Sequence, residues 1–251
     1  MRKLLAALYS ALVYVFFLGV FLYAIGFVEN VLVPKSIDSG TVDSVAGSLL
    51  IDAGLLALFA VQHSVMARPG FKRLWTHIVP SEIERSTFVL FASLVLALLC
   101  WQWRPLPQSV WSIEDPIVVK LLLVLSWSGW GVLLLSTFLL SHFHLFGLSQ
   151  GFARLLGRKL PEPAFATPFL YRWLRHPIYA GFILAFWAAP HMSLGHLFFA
   201  VVTTGYIFVG IWFEERDLVA HFGDRYRQYR ATVGMLVPRI RLSSRRKGVV
   251  H

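Results

Sequence analysis

Long apolar runs, separated by short polar segments, divide the chain into predicted membrane helices. Residues 4–27 contain no Asp, Glu, Lys or Arg, and further apolar runs follow at residues 45–65, 87–101 and 116–138. A helix of about 20 apolar residues crosses the hydrocarbon of a bilayer. The pattern therefore predicts four membrane-spanning helices, and the first run is too long for the apolar part of a signal peptide.

A later apolar run, residues 179–213, is also free of charged residues, and Pro190 divides it into a shorter and a longer piece. This pattern predicts a helical hairpin in lipid. A hairpin returns the chain to the side it left. We therefore expect the basic pair Arg175-His176 before the run to lie close to the acidic pair Glu214-Glu215 after it, beside an apolar cavity.

The composition agrees with lipid as the solvent of this chain. Hydrophobic residues make up 57% of the sequence and charged residues only 14%, whereas about a quarter of the residues of a soluble domain are charged. The single cysteine, Cys100, excludes a disulfide framework and a thiolate metal site. We predict an all-α integral membrane protein with about six transmembrane helices in one membrane domain, formed by a four-helix region (residues 1–140) and a catalytic region (residues 141–251).

The net charge of +10 is explained by topology rather than by a nucleic-acid partner. Basic residues cluster in alternate segments between the predicted helices: Arg2, Lys3, Arg68, Lys72, Arg73, Arg85, Arg154, Arg158, Lys159, Arg172 and Arg175, and then residues 216–247. Cytoplasmic segments of membrane proteins carry such an excess of Lys and Arg. Both termini are therefore expected in the cytoplasm, with the basic tail at residues 239–247 attracted to anionic lipid.

Two ordered motifs resemble a known family. Residues 175–181 read Arg-His-Pro-x-Tyr-x-Gly, and residues 214–229 read Glu-Glu-x-x-Leu-x-x-x-Phe-Gly-x-x-Tyr-x-x-Tyr. This arrangement resembles the integral-membrane methyltransferases that include isoprenylcysteine carboxyl methyltransferase and the phospholipid methyltransferases. Within that superfamily, residues 142–150, 167–172 and 187–190 are most similar to the nurim-like branch, which includes the methanethiol S-methyltransferases.

The resemblance implies a methyltransferase that uses S-adenosylmethionine bound at this motif pair. Arg175 has the geometry for a bidentate bond to the cofactor's carboxylate. Glu214 or Glu215 can accept hydrogen bonds from the ribose hydroxyls or the ammonium group. The expected cofactor-binding residues are Gln150, Arg175, His176, Tyr179, Gly181, Glu214 and Glu215.

A small apolar thiol is the expected methyl acceptor, since it can reach the site from lipid. The thiolate is the reactive form of a thiol, so a nearby base is expected, and His144, His142 and His63 are the candidates. The resemblance fails at His144 and Ser149, where the branch usually carries Asp and Arg. The i, i+2 spacing of His142 and His144 does not place them on one helix face, and no metal site is expected.

Several alternatives remain open at this stage. The acceptor can instead be another thiol, a prenylcysteine carboxylate or a phospholipid amine. The histidines also fit a haem-binding or proton-handling membrane protein, and a non-enzymatic nurim-like protein keeps the same fold. Asp52, on the second predicted helix, is a further functional candidate. The chain carries no organelle signal, which favours a bacterial inner membrane, and its oligomeric state is left open.

Two further segments are predicted near the hairpin. Pro161, Pro163 and Pro168 forbid a continuous helix across residues 151–171, so that segment is expected to fold over the hairpin as a lid. After the hairpin, apolar and aromatic positions recur at helical spacing in residues 217–229. This recurrence predicts an amphipathic helix on the membrane surface.

Overall fold

The computed structural model describes residues 1–158, 160 and 165–239. They form ten α-helices and one two-stranded sheet. The elements in chain order are α1 (Arg2–Glu29), α2 (Val45–Ala67), α3 (Pro69–Trp75), α4 (Ser81–Gln102), β1 (Ser109–Ser112), α5 (Pro116–Leu139), α6 (His142–Leu145), α7 (Leu148–Leu155), α8 (Pro177–Trp187), β2 (His191–Ser193), α9 (Leu194–Phe222) and α10 (Asp224–Thr232).

Five of these helices, α1, α2, α4, α5 and α9, are long and apolar enough to cross a membrane. The prediction of an all-helical integral membrane protein is confirmed to that extent. All four predicted N-terminal helices are present, and α1, α2 and α5 lie within two residues of their predicted bounds. Helix α4 begins earlier than its apolar run, at Ser81, because its first turn is polar and contains Glu82 and Glu84.

The predicted hairpin has one short arm. Helix α8 has 11 residues, about 16 Å at 1.5 Å per residue, whereas the hydrocarbon of a bilayer is about 30 Å thick. After α8 the chain runs through Pro190 into β2, which pairs antiparallel with β1. This pairing places the turn between α8 and α9 at the same end of the bundle as the connection between α4 and α5.

Helix α8 packs closely on α5 because two glycines face each other. A Cβ atom on Gly181 would lie 2.6 Å from the carbonyl oxygen of Gly129, and one on Gly129 would lie 2.6 Å from the carbonyl oxygen of Gly181. Small residues let membrane helices approach to backbone contact in this way. Gly181 was predicted to bind the cofactor. Its close packing on α5 is sufficient to explain why a glycine occupies this position.

The other end of the bundle gathers the segments that join α2 to α4, α5 to α8 and α9 to α10. Arg68 at the end of α2 forms an ion pair with Asp217 of α9 at 3.2 Å. Arg85 of α4 donates from Nε to the carbonyl oxygen of Leu145 in α6 at 2.7 Å. Asp52 lies away from this end, buried, and its Oδ1 accepts from the backbone N–H of Arg104 at 2.8 Å.

The segments around the hairpin differ in part from expectation. Helix α9 continues to Phe222, and Gly223, with φ of 58°, separates it from α10, so the predicted surface helix is divided at this glycine. Of the predicted lid, α7 forms the beginning and a 3-10 turn at Phe169–Arg172 the end. Pro161 and Pro163 lie outside the described residues, as does the basic tail beyond Arg239.

Candidate active site

The basic and acidic ends of the hairpin meet, as the sequence predicted. Arg175 donates from Nε to Glu215 Oε1 at 2.7 Å, and His176 Nε2 lies 3.1 Å from the same oxygen. The side chains of Arg175 and Glu215 are only 10% and 12% exposed. A charge-assisted cluster is therefore held together at the start of α8 and the end of α9.

The backbone before α8 is held by the segment after α10. The N–H of Arg175 donates to the carbonyl oxygen of Gly234 at 2.9 Å, and that of His176 to Met235 at 3.1 Å. His176 then caps α8, and Pro177 occupies its first turn, where the missing N–H leaves no bond unmade. These contacts fix the direction in which the Arg-His pair enters the site.

The guanidinium of Arg175 is engaged within the protein. Besides Glu215, it donates from Nη1 to the carbonyl oxygens of Val233 at 2.6 Å and Arg230 at 3.1 Å. This arrangement differs from the expectation that Arg175 binds the cofactor's carboxylate, because its guanidinium already donates to three acceptors within the protein. Arg230, with a side chain about half exposed and Nη1 3.7 Å from Glu215 Oε2, is a cation with donors open to a ligand.

The two tyrosines of the motif at residues 214–229 support this arrangement. Tyr226 is buried, and the hydroxyl of Tyr229 donates to the carbonyl oxygen of Tyr171 at 2.5 Å. Burial raises the pKa of Tyr229 to about 12, so the hydroxyl remains a neutral donor. The Tyr-x-x-Tyr pattern thus anchors α10 beneath the charge cluster.

Glu214 is bound from the other side of the hairpin. The hydroxyl of Tyr179 donates to Glu214 Oε2 at 3.0 Å, and His176 Nδ1 lies 3.8 Å from the same oxygen. The rings of His176 and Tyr179 are 5.7 Å apart. His176 therefore lies between the two carboxylates, so Glu214, Glu215, Tyr179 and Arg175 form one network.

A concavity of about 270 Å³ opens beside this network. Its lining combines an aromatic ring, a carboxylate and two guanidinium groups, and consists of Trp212, Glu215, Arg216, Val219 and Arg230. The sequence predicted an apolar cavity, whereas this lining is mixed. Trp212 and Arg230 were not among the predicted site residues, although the spacing of Trp212 and Glu215, three apart on a helix, places them on one face.

The structure separates His142 from the other candidate bases. Its Nε2 lies 2.9 Å from the hydroxyl of Tyr14 and its Nδ1 2.8 Å from that of Thr137. The ring also stacks on Phe138 at 4.2 Å, and burial lowers its pKa. With both nitrogens satisfied, His142 has a framework role and no free atom with which to activate a substrate.

His63 and His144 instead approach a common neighbour, Arg85. The His63 ring lies 5.1 Å from that of Phe88, and its Nδ1 is buried with no hydrogen-bond partner among the described residues. Burial lowers the pKa of His144, and the Arg85 charge lowers it further. Gln150 donates to the carbonyl oxygen of His144 at 3.1 Å, so this predicted cofactor residue belongs to the same neighbourhood.

The candidate site residues can be tested for a metal centre and for connection into a single network. Within residues 1–158, 160 and 165–239, no three His, Cys, Asp or Glu side chains are close enough to hold a metal ion. No hydrogen bond or ion pair in the described part of the chain joins the His63 and His144 neighbourhood to the Glu214-Glu215 network. The site therefore has two parts, one on α8 and α9 and one on α2, α4 and α6.

Comparison with known proteins identifies the family. The chain is 56% identical to methanethiol S-methyltransferase 1 from Bradyrhizobium diazoefficiens, over 94% of the chain and 83% of that protein. It is 50% identical to methanethiol S-methyltransferase from Mycobacterium tuberculosis, over 95% of the chain and 98% of that protein. Nurim from Xenopus laevis is more distant, at 32% identity over 62% of the chain and 58% of that protein.

No protein-family model and no solved structure matches the chain. The two methanethiol S-methyltransferases above nevertheless align with 94% and 95% of the chain. The resemblance first carried by the two motifs thus extends through the N-terminal helices. The chain belongs to the methanethiol S-methyltransferase family.

Proposed function

We propose that the protein is an S-adenosylmethionine-dependent enzyme that methylates methanethiol and releases dimethyl sulfide. The observation that carries this proposal is the network in which His176, Arg175 and Tyr179 hold two carboxylates beside an open concavity. Relatives that bear the name methanethiol S-methyltransferase, at 56% and 50% identity, support the same reaction.

The residues at the concavity fit the groups of the cofactor. Glu215 offers carboxylate oxygens to an ammonium group or to ribose hydroxyls, and Arg230 offers a guanidinium to a carboxylate. Trp212 supplies an aromatic face for the adenine. When bound there, the cofactor supplies a methyl group on a positively charged sulfur, and the protein's task is to orient that sulfur and exclude water.

The membrane setting suits the substrate. Five helices are long and apolar enough to cross a membrane, and a small apolar thiol dissolves in lipid and can reach the protein from it. The segments that carry Arg68, Lys72 and Arg73 lie at the same end as the charge network, and their excess of basic residues supports a cytoplasmic position for that end. The bacterial relatives favour a bacterial inner membrane as its location.

Headspace gas chromatography over purified protein tests the proposal. Protein in detergent receives S-adenosylmethionine and methanethiol, and Glu215→Gln is compared with Asp224→Asn. Asp224 is a matched control because its side chain is 84% exposed and, among the described residues, pairs only with Arg227 on the same helix. Dimethyl sulfide is expected from the wild type and from Asp224→Asn but not from Glu215→Gln.

Two results would contradict the proposal. If the wild-type protein binds the cofactor but forms no dimethyl sulfide, methanethiol is not its acceptor. Other thiols, prenylcysteine carboxylates and lipid amines would then be tested as acceptors. Equal activity in wild type and Glu215→Gln would place the cofactor away from the hairpin. Titration calorimetry with S-adenosylmethionine measures cofactor binding by the wild type and by Glu215→Gln, as both interpretations require.

A further inference from the structure

Arg85 is fixed at the junction of three elements. Its Nε donates to the carbonyl oxygen of Leu145 at 2.7 Å, and its Cζ lies 4.8 Å from the centre of the Phe88 ring. Next to it, Gly147 has φ of 86°, and a Cβ there would lie 2.6 Å from the N of Ser86. The turn between α6 and α7 is thus held against α4, and the guanidinium has little freedom to move.

The charge of Arg85 has no opposite charge in contact. In the described part of the chain, no carboxylate oxygen lies within 4.0 Å of its nitrogens. Four titratable groups interact electrostatically with Arg85: His63 of α2, Lys72 of α3, Glu84 of α4 and His144 of α6. An arginine is always charged, and a half-buried charge without a partner is costly unless a ligand supplies one.

The surroundings of Arg85 are aromatic on one side and polar but unsatisfied on the other. The ring of Phe88 lies 4.8 Å from the guanidinium carbon of Arg85 and 5.1 Å from the ring of His63, which also stacks on Phe59 at 5.4 Å. His63 Nδ1 and Gln150 Oε1 are buried without partners among the described residues. The cation, the aromatic rings and the free Nδ1 of His63, which donates when it carries the proton, together suit a small, soft anion with an apolar body.

Helix α2, which carries His63, contacts α9, the helix that carries Glu214 and Glu215. Ser64, next to His63, shares a hydrogen bond of 3.1 Å with the hydroxyl of Tyr206 on α9. One turn further along α9, a Cβ on Gly210 would lie 3.8 Å from the hydroxyl of Tyr179. Helix α2 therefore carries His63 along the face of α9 that leads to Tyr179.

We propose that Arg85 binds the acceptor as its thiolate, with His63 donating to the same sulfur from Nδ1. The proposal rests on the proposed function, which it deepens. The thiol loses its proton to water at the cytoplasmic end, and the guanidinium stabilises the anion that remains. The thiolate then forms a bond to the methyl carbon while the bond from that carbon to the sulfonium breaks. The electron pair of the broken bond stays on the cofactor's sulfur.

The pH profile of kcat/KM for methanethiol tests this role in Arg85→Gln, with Arg154→Gln as the matched control. Arg154 lies on α7, pairs with Glu82 and has a side chain 56% exposed. In Arg85→Gln, we expect the rising limb of the profile to move up by about one pH unit or more, with a loss of about tenfold at neutral pH. The control should keep the wild-type profile.

Three further tests distinguish this role from a merely structural one. The Kd for S-adenosylmethionine should stay within about twofold of wild type in Arg85→Gln, which also reports that the variant folds. Methaneselenol loses its proton far more readily than methanethiol, so the penalty of Arg85→Gln should shrink to about threefold or less with this acceptor. Arg85→Lys, which retains the charge, should recover most of the wild-type pH profile.

The outcomes separate this inference from the proposed function. Active wild-type protein, together with an unchanged pH profile and equal losses for thiol and selenol in Arg85→Gln, would show that Arg85 only supports α6 through Leu145. That result overturns the inference and leaves the methyltransferase intact. Wild-type protein that methylates neither acceptor would refute the proposed function, and the role of Arg85 with it.

Discussion

Replacing Glu215 by Ala should destabilise the protein as well as inactivate it. The substitution removes the acceptor of Arg175 Nε and of His176 Nε2 and leaves the guanidinium, 10% exposed, without its opposite charge. Breaking a buried ion pair from one side costs about 3–5 kcal/mol. Because Arg175 keeps the carbonyl oxygens of Val233 and Arg230, we expect the lower end of that range, about 3 kcal/mol.

Thermal unfolding in detergent, followed by tryptophan fluorescence, measures this loss. A cost of about 3 kcal/mol corresponds to a decrease in Tm of about 6–12 °C for a chain of this size. The double variant Arg175→Met, Glu215→Leu should regain much of the stability, since it leaves neither charge behind. Asp224→Ala, in an exposed pair, should change Tm little.

Equal unfolding temperatures for Glu215→Ala and Asp224→Ala would show that the Arg175–Glu215 pair contributes no stability. A double variant that is less stable than either single variant would contradict the predicted recovery of stability, since the two side chains would then contribute independently. In either case the contact between Arg175 and Glu215 would be incidental to the joining of the two helix ends.

Three further predictions concern packing, pH and cofactor affinity. Gly181→Ala places a Cβ 2.6 Å from a carbonyl oxygen of α5 and should cost about 1–3 kcal/mol in thermal unfolding, whereas Gly205→Ala, with open space around it, should not. Burial lowers the pKa of His142, so the unfolded chain takes up this proton first as pH falls below about 6.5. Tm should therefore decrease from neutral to acidic pH, and less steeply in His142→Phe; an equal slope would contradict this. Tyr179→Phe removes a hydrogen bond to the Glu214 carboxylate and should raise the Kd for S-adenosylmethionine about tenfold by calorimetry; an unchanged Kd would place Glu214 outside the cofactor site.

The sequence predicts the helices well because lipid imposes a simple rule on them. Apolar runs of sufficient length gave α1, α2 and α5 nearly to their ends. The meeting of Arg175 with Glu215 followed from the hairpin alone and is confirmed at 2.7 Å. In both cases the prediction needed only the order of residues along the chain and the thickness of a bilayer.

Features that depend on contacts between distant segments were less accessible. No local pattern shows that Val233 and Arg230 occupy the fork of Arg175, or that Gly181 faces Gly129 rather than a ligand. The separation of His142 from the other two candidate bases likewise depends on contacts between distant segments. His142 is satisfied by Tyr14, which lies 128 positions away in sequence, and such a pairing leaves no trace in the spacing of residues.

The length of α8 also required tertiary information. The sequence predicted a shorter piece before Pro190 and counted it among about six transmembrane helices. The helix ends at Trp187, and the chain then pairs with β1 through His191–Ser193. Hydrophobic pattern alone does not distinguish a short helix followed by a buried strand from one continuous helix. The strand partner lies in the connection between α4 and α5, far away in sequence.

Transfer of an isotopically labelled methyl group tests the central claim most directly. Purified protein is given S-adenosylmethionine with a trideuterated methyl group and unlabelled methanethiol, and the headspace is analysed by mass spectrometry. The wild type should form dimethyl sulfide with one trideuterated and one ordinary methyl group, and Glu215→Gln should form none. Dimethyl sulfide without label, or labelled product at equal rates from both proteins, would contradict methyl transfer at the Glu214-Glu215 site.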